Sequence, residues 1–195
     1  DFYWHYHWDN YVYFAVIDCT GHGIPGAIIS VIGLNALRHL VESSDAPFTA
    51  ADALNHLDVA VETSLNKTTS DVKSRDGMDL SFCRLNLATL ELQYATAMRT
   101  LYVFTGHEIV ELRGNKRPIG SVHHEPEPYV NFTYQLKPGD KVYLYSDGYP
   151  DQFGGPEGKK FMVRRFKNLL WDNRHLKMDD QRRILETTFA DWKGP

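Results

Sequence analysis

The sequence predicts an α+β fold, with helices packed on largely antiparallel sheet. Three observations carry this. An early run, residues 11–17 (YVYFAVI), is rich in β-formers. Segments 26–40 and 50–65 have helical character, and so do 161–171 and 178–192 near the other end. Between Met78 and Ser146 the pattern is short strands broken by turn signals. Strands grouped apart from helices favour helices on antiparallel sheet over alternating βα units.

The elements follow in order. The strand at 11–17 runs into Asp18, after which a tight Gly-containing turn is expected. Pro25 opens the apolar stretch 26–40, at a position where a helix start tolerates proline. Ala51, Leu54, Leu57, Val61 and Leu65 recur at helical spacing, so 50–65 reads as a second helix. Residues 66–77 are polar and read as a loop. Strands are expected at 80–86, 90–97, 101–104, 109–112, 129–136 and 141–146, punctuated by Asn115-Lys116 and Pro138-Gly139. Trp4, His5, His7 and Trp8 form an aromatic cluster that reads as a strand or hairpin face, with too few ligands for zinc. His123-His124-Glu125 reads as a solvated loop. Lys159, Lys160, Arg164, Arg165 and Lys167 are placed on the third helix, as a solvated face or a phosphopeptide patch.

Composition narrows the function. The chain has 195 residues, 43% apolar and 24% charged, which suits one domain with a real core. A net charge of -4 gives no footprint for nucleic acid or an anionic membrane. Cys19 and Cys83 are the only cysteines and lie far apart. That argues against a disulfide framework or thiolate zinc site and makes the cytoplasm the simplest setting. No apolar run is expected to approach the roughly 18–20 residues of a membrane helix, and no signal peptide opens the chain. The chain begins at Asp1 within an aromatic stretch that looks like mid-domain sequence, so a fragment of something longer is expected.

The chemistry lies at two strand ends. Asp18 stands in Asp18-Cys19-Thr20-Gly21-His22-Gly23, and Asp147 in Ser146-Asp147-Gly148. A carboxylate where a strand gives way to a turn is rigidly held yet open on one side, which suits hard cations such as Mg²⁺ and Mn²⁺. Asp1, Asp76 and Asp79 are further acidic candidates. Asp-Gly sequences are also common plain turns, and periodicity leaves the two readings open.

In order, Asp1-Phe2-Tyr3-Trp4, Asp18 through Ala27 (DCTGHGIPGA), Asp76-Gly77-Met78-Asp79, Pro118-Ile119-Gly120 and Ser146-Asp147-Gly148-Tyr149-Pro150-Asp151-Gln152 resemble the SpoIIE-like branch of the type 2C metal-dependent protein phosphatases. The resemblance covers nearly the whole chain. It implies a central sandwich of two mostly antiparallel β-sheets flanked by helices, with a binuclear Mn²⁺ or Mg²⁺ centre at one end. It implies Asp18 as the aspartate bridging both ions, the Cys19 carbonyl as a neighbouring ligand, Asp147 as a ligand of the first ion, and Asp1 as serving the second. Hydroxide held between two cations would attack phosphoserine or phosphothreonine in line, so no nucleophilic Ser or Cys is required. His22 is either a proton donor to the leaving alkoxide or a residue facing the phosphate; Lys in many relatives argues against an essential role. Asp79 and Asp151 would support the metal site from behind or orient its turns.

The resemblance further implies a phosphorylated protein substrate, an upstream sensor domain and a role in signal transduction. The domain itself would touch neither nucleic acid nor membrane, and would be cytoplasmic or the cytoplasmic part of a membrane-bound sensor. A strand before Asp1 and a C-terminal region with an Asp-Asp pair are absent. The single domain over 1–195 is therefore expected to be truncated at both ends and short of one carboxylate: if it is the entire polypeptide it is expected to bind metal weakly and be poorly active, and if the chain continues at both ends the full protein is expected to be active.

Overall fold

The structure is a computed structural model, described here over residues 1–21, 23–66, 77–120 and 127–194. Its first half runs β1 (Phe2–Trp8), β2 (Tyr11–Cys19), α1 (Gly23–Ser43), α2 (Ala50–Asn66), β3 (Met78–Asn86) and β4 (Glu91–Ala97). The second half runs β5 (Thr100–Phe104), β6 (Ile109–Arg113), β7 (Phe132–Gln135), β8 (Lys141–Tyr143), β9 (Phe153–Gly154), β10 (Lys159–Lys160), α3 (Val163–Asn173) and α4 (Met178–Lys193). One sheet has the order β1-β2-β3-β4-β7, a second β6-β5-β8, and β9 and β10 form a small hairpin; every pair is antiparallel.

Period-two alternation sorts the side chains into layers. On β2, Tyr13, Ala15, Ile17 and Cys19 turn to one face, joined by Met78, Leu80 and Phe82 of β3. They pack on Leu37 of α1 and on Leu54, Leu57 and Val61 of α2, all four fully buried. Each such side chain contributes about 1.5–3 kcal/mol on leaving water. The opposite face of that sheet, with Cys83, Leu92 and Tyr94, meets Leu101, Val103 and Leu112 of the second sheet. Tyr102 and Phe104 face the other way and are covered by Phe166 and Leu170 of α3. The result is a two-sheet sandwich between two helix pairs, an α+β fold as expected. Both sheets are open.

Several boundaries move. β2 continues through Asp18 to Cys19, so the aspartate lies within the ladder. β7 and β8 are shorter than the expected 129–136 and 141–146. α3 begins at Val163 because Phe161 and Met162 donate their amides to Gln152 and Pro150. Lys159 and Lys160 consequently belong to β10, not to the helix. The aromatic cluster lies on β1: Trp4 stacks on Phe82 and Trp8 meets Phe48 edge-on, while His5 and His7 are exposed. Residues 67–76 of the expected loop, and His123-His124-Glu125, lie outside the described residues.

α1 corrects the expectation about apolar runs. It has 21 residues, and an 18-residue window within it has a mean hydropathy of 1.5, so it is long and apolar enough by length and composition to cross a membrane. Core helices pass the same test, and Ile29, Ala36 and Leu37 are buried against the rest of the fold. Ile24, Ile28 and Val31 are exposed.

Candidate metal centre

The β2–β3 ladder sets the first pair of carboxylates. Asp18 and Asp79 are direct cross-strand partners, so their side chains share the face that looks between the sheets. Thr20 locks this end: its amide donates to the Gly77 carbonyl at 2.9 Å, and its hydroxyl accepts the Gly77 amide at 2.6 Å. Gly21 then turns the chain with φ 86, a conformation that disfavours other residues. Pro118-Ile119-Gly120 braces the same place from the other side. Met78 and Ile119 exchange two backbone hydrogen bonds, at 3.1 and 2.8 Å. A Cβ at Gly77 would lie 2.2 Å from the Ile119 carbonyl oxygen, so only glycine fits.

Asp147 arrives from the second sheet, four residues beyond β8. Tyr143 holds that strand by donating to the buried Gln181 at 2.7 Å, and Tyr149 fixes the following turn by donating to the Leu185 carbonyl at 2.9 Å. The Asp151 amide donates to the Asp147 carbonyl at 2.8 Å, closing the turn over 147–151. The Asp151 carboxylate pairs with Lys160 at 2.7 Å, so it ties the turn to β10 and does not join the other aspartates. Gly148 is not in the left-handed region; an added Cβ would sit 3.8 Å from Asp1 Oδ2, which places the Asp1 carboxylate beside this turn.

At the centre stands a residue that the sequence reading missed. Arg99 lies in the two-residue link from β4 to β5, where the chain passes from one sheet to the other. Its Nη2 donates to Asp18 Oδ2 and, at 2.9 Å, to Asp147 Oδ2, and lies 3.6 Å from Asp79 Oδ2. A lone Arg after a strand looks like a surface cation, but this side chain is 19% exposed. The available signal was the short link between two apolar strands.

Three carboxylates around one guanidinium leave two negative charges uncompensated. Burial pushes the Asp18 carboxyl above its ordinary range against the opposing pull of Arg99, and the charge of Asp147 adds to the push. Asp79 is raised for the same reasons, burial first. Burial disfavours the charge on Arg99, but its bond to Asp147 and the three negative neighbours prevail and hold it above its usual value.

The donor set suits a hard divalent cation: it is all oxygen, carries excess negative charge and is open on the side of Asp147, which is 52% exposed. On the floor, Ser81 shares the face of Asp79 and lies opposite Thr96, and both are buried. Among the described residues their hydroxyls have no hydrogen-bond partner, the condition that ordered water or a hydrated ion relieves. With Arg99 between them the carboxylates stand apart, and among the described residues no three His, Cys, Asp or Glu side chains form a ready cage. The Cys19 thiol is buried on the helix side, raised by burial, and accepts from Ser30 at 3.3 Å. His22 and Asp76 lie outside the described residues.

A sandwich of two antiparallel sheets between helix pairs, with aspartates from both sheets meeting at one end, defines the class of type 2C phosphatase domains. The comparisons agree. The SiaA-PP2C domain of Pseudomonas aeruginosa superposes with a TM-score of 0.83 at 30% identity, over 99% of this chain and 74% of that one. The PP2C phosphatase domain of SpoIIE from Bacillus subtilis, solved with a fragment of its regulatory domain, has a TM-score of 0.68 at 16% identity, over 96% and 52%. RsbX, solved in complex with magnesium, has 0.65 at 12%, over 98% and 80%; these last two show the fold alone. No curated protein sequence matches. The family model for stage II sporulation protein E (SpoIIE) matches residues 9–193, and the chain belongs to that family of phosphatase domains.

Proposed function

We propose that this chain is a metal-dependent serine/threonine protein phosphatase domain that hydrolyses phosphoserine or phosphothreonine on a signalling protein. The observation that carries the reading is the convergence of Asp18, Asp79 and Asp147 on one cationic position, in a chain of the SpoIIE family. Asp18 and Asp147 would hold two divalent cations, Mn²⁺ or Mg²⁺, with Asp1 and the Cys19 carbonyl completing the set. Asp79 would steady Asp18 across the ladder, and Asp151 would fix the Asp147 turn through its amide. When bound, such cations supply an acidified water for attack on phosphorus and positive charge for the phosphoryl oxygens.

The chain's own residues do the positioning. The ladder and the Thr20–Gly77 clasp fix Asp18 and Asp79 before any ligand arrives, which limits reorganisation. The exposed side of Asp147 leaves room for a phosphoester on a folded protein. A buried, raised Cys19 thiol is a poor nucleophile, which supports direct hydrolysis without a phosphoenzyme. His22 as proton donor to the leaving alkoxide is part of the proposal. So are an upstream sensor domain and a cytoplasmic setting. One observation favours a second reading, a domain that binds a phosphoprotein without turnover: Arg99 already neutralises part of the site.

The test is Mn²⁺-dependent phosphate release from a phosphoserine- or phosphothreonine-bearing protein, with Asp18→Asn and Asp147→Asn as controls. Both substitutions are expected to reduce release to background. Activity indifferent to both would sink the mechanism, and phosphoprotein binding without release would select the second reading.

A further inference from the structure

Arg99 is held in an unusual way for a structural ion pair. A guanidinium in a stable carboxylate pair normally uses two nitrogens in a fork. Here one nitrogen, Nη2, serves Asp18, Asp147 and Asp79 together. The Nε is buried and has no hydrogen-bond partner among the described residues, a condition that costs stability. The side chain springs from a strained link: Met98, just before it, has φ 63, and its amide donates to the Asn115 carbonyl at 3.0 Å. The Arg99 amide donates to Ala97 at 2.7 Å. The backbone is thus fixed, while the side chain fills a cation position with only part of its bonding capacity.

Resting on the metal-site reading above, we propose that Arg99 is a tethered counter-cation: it occupies the position between Asp18 and Asp147 in the metal-free protein and must swing out for a divalent ion to bind. The two occupants exclude each other. An ion needs carboxylate oxygens at about 2.0–2.2 Å, in the space now held by Nη2. Arg99 therefore has two opposite effects. It screens three mutually repelling carboxylates when no metal is present, and it weakens apparent metal affinity by the fraction of time it occupies the site.

The test is calorimetric titration with Mn²⁺ of the wild type, Arg99→Gln and Arg99→Lys, with melting temperatures taken in chelator and in Mn²⁺. Arg99→Gln is expected to bind Mn²⁺ at least about tenfold more tightly, equivalent to about 1.4 kcal/mol. It should also melt lower in chelator and gain more from Mn²⁺ than the wild type does. Equal or weaker Mn²⁺ binding by Arg99→Gln, with the wild type binding normally, overturns the inference and leaves the metal centre standing. Absence of Mn²⁺ binding in both proteins overturns the metal reading itself. Should Arg99→Gln not fold, the wild type decides by NMR, using the Arg99 Nε–H resonance assigned by its loss in Arg99→Lys. On titration with Mg²⁺ that proton is expected to pass from slow to fast exchange with solvent; an unchanged, protected proton at saturation overturns the inference.

Discussion

Replacing Asp58 by Ala tests how the acidic cluster is held from behind. Asp58 lies on α2, and its two carboxylate oxygens do different jobs. Oδ2 accepts from Arg117 at 2.8 Å, and Oδ1 accepts the Gly120 amide at 2.7 Å. Arg117 in turn lies over the Tyr129 ring at 3.9 Å, and Asn55, also on α2, accepts the Tyr129 amide at 2.8 Å. The clamped segment contains Ile119, whose ladder to Met78 sits one residue from Asp79. Both members of the Asp58–Arg117 pair are only 14% exposed. Losing a charge-assisted hydrogen bond costs about 1.5–3 kcal/mol, and stranding a fully buried partner costs about 3–5. Partial exposure places Asp58→Ala at about 3 kcal/mol, or a melting temperature lower by about 6–12 °C for a domain of this size. Asp58→Asn keeps the acceptor for Gly120 and is expected to cost about half as much. Urea denaturation measures both, at unchanged m. In a double-mutant cycle, Arg117→Met in the Asp58→Ala background should recover at least about 1 kcal/mol. An Asp58→Ala midpoint within about 0.5 kcal/mol of wild type would refute the clamp.

Other outcomes follow from the same geometry. Gly77→Ala puts a Cβ 2.2 Å from the Ile119 carbonyl; it should cost about 3 kcal/mol in urea and weaken Mn²⁺ binding in calorimetry by displacing Asp79. His56 on α2 is held below its ordinary 6.5, first by burial and then by the stacked His39 at 5.7 Å. The unfolded chain therefore takes up the proton first. The stability from neutral His56 is complete above pH about 6.5 and lost as pH falls from there through the lowered folded value. Denaturation at pH 5.5 and 7.5 should show this drop, and His56→Gln should reduce it.

Much of the fold was legible because its layers obey simple periods. The alternation of Tyr13, Ala15 and Ile17 marks a strand with one face in the core, and Leu54, Leu57 and Val61 mark the helix that covers it. The two-residue strands β9 and β10 carry no such period. They are held by tertiary contacts instead: the Gly155 amide donates to the Trp192 carbonyl at 2.7 Å, and the Trp192 indole donates to the Gln152 carbonyl at 2.9 Å. At the site, the motifs pointed to Asp18, Asp79 and Asp147, and the structure brings these three together; Asp151 it turns away toward Lys160. Arg99 and Asp58 were invisible for a physical reason. Each is a single charge in an ordinary local setting, a strand end and a helix face, and acquires its role only from partners 20 or more positions away in sequence.

The most direct measurement is anomalous diffraction at the manganese edge from crystals grown with Mn²⁺. A strong peak is expected within about 2.0–2.2 Å of both Asp18 and Asp147 oxygens, with the Arg99 guanidinium displaced from between them. Well-ordered crystals showing no peak at these carboxylates, with Arg99 still bridging Asp18 and Asp147, would contradict it.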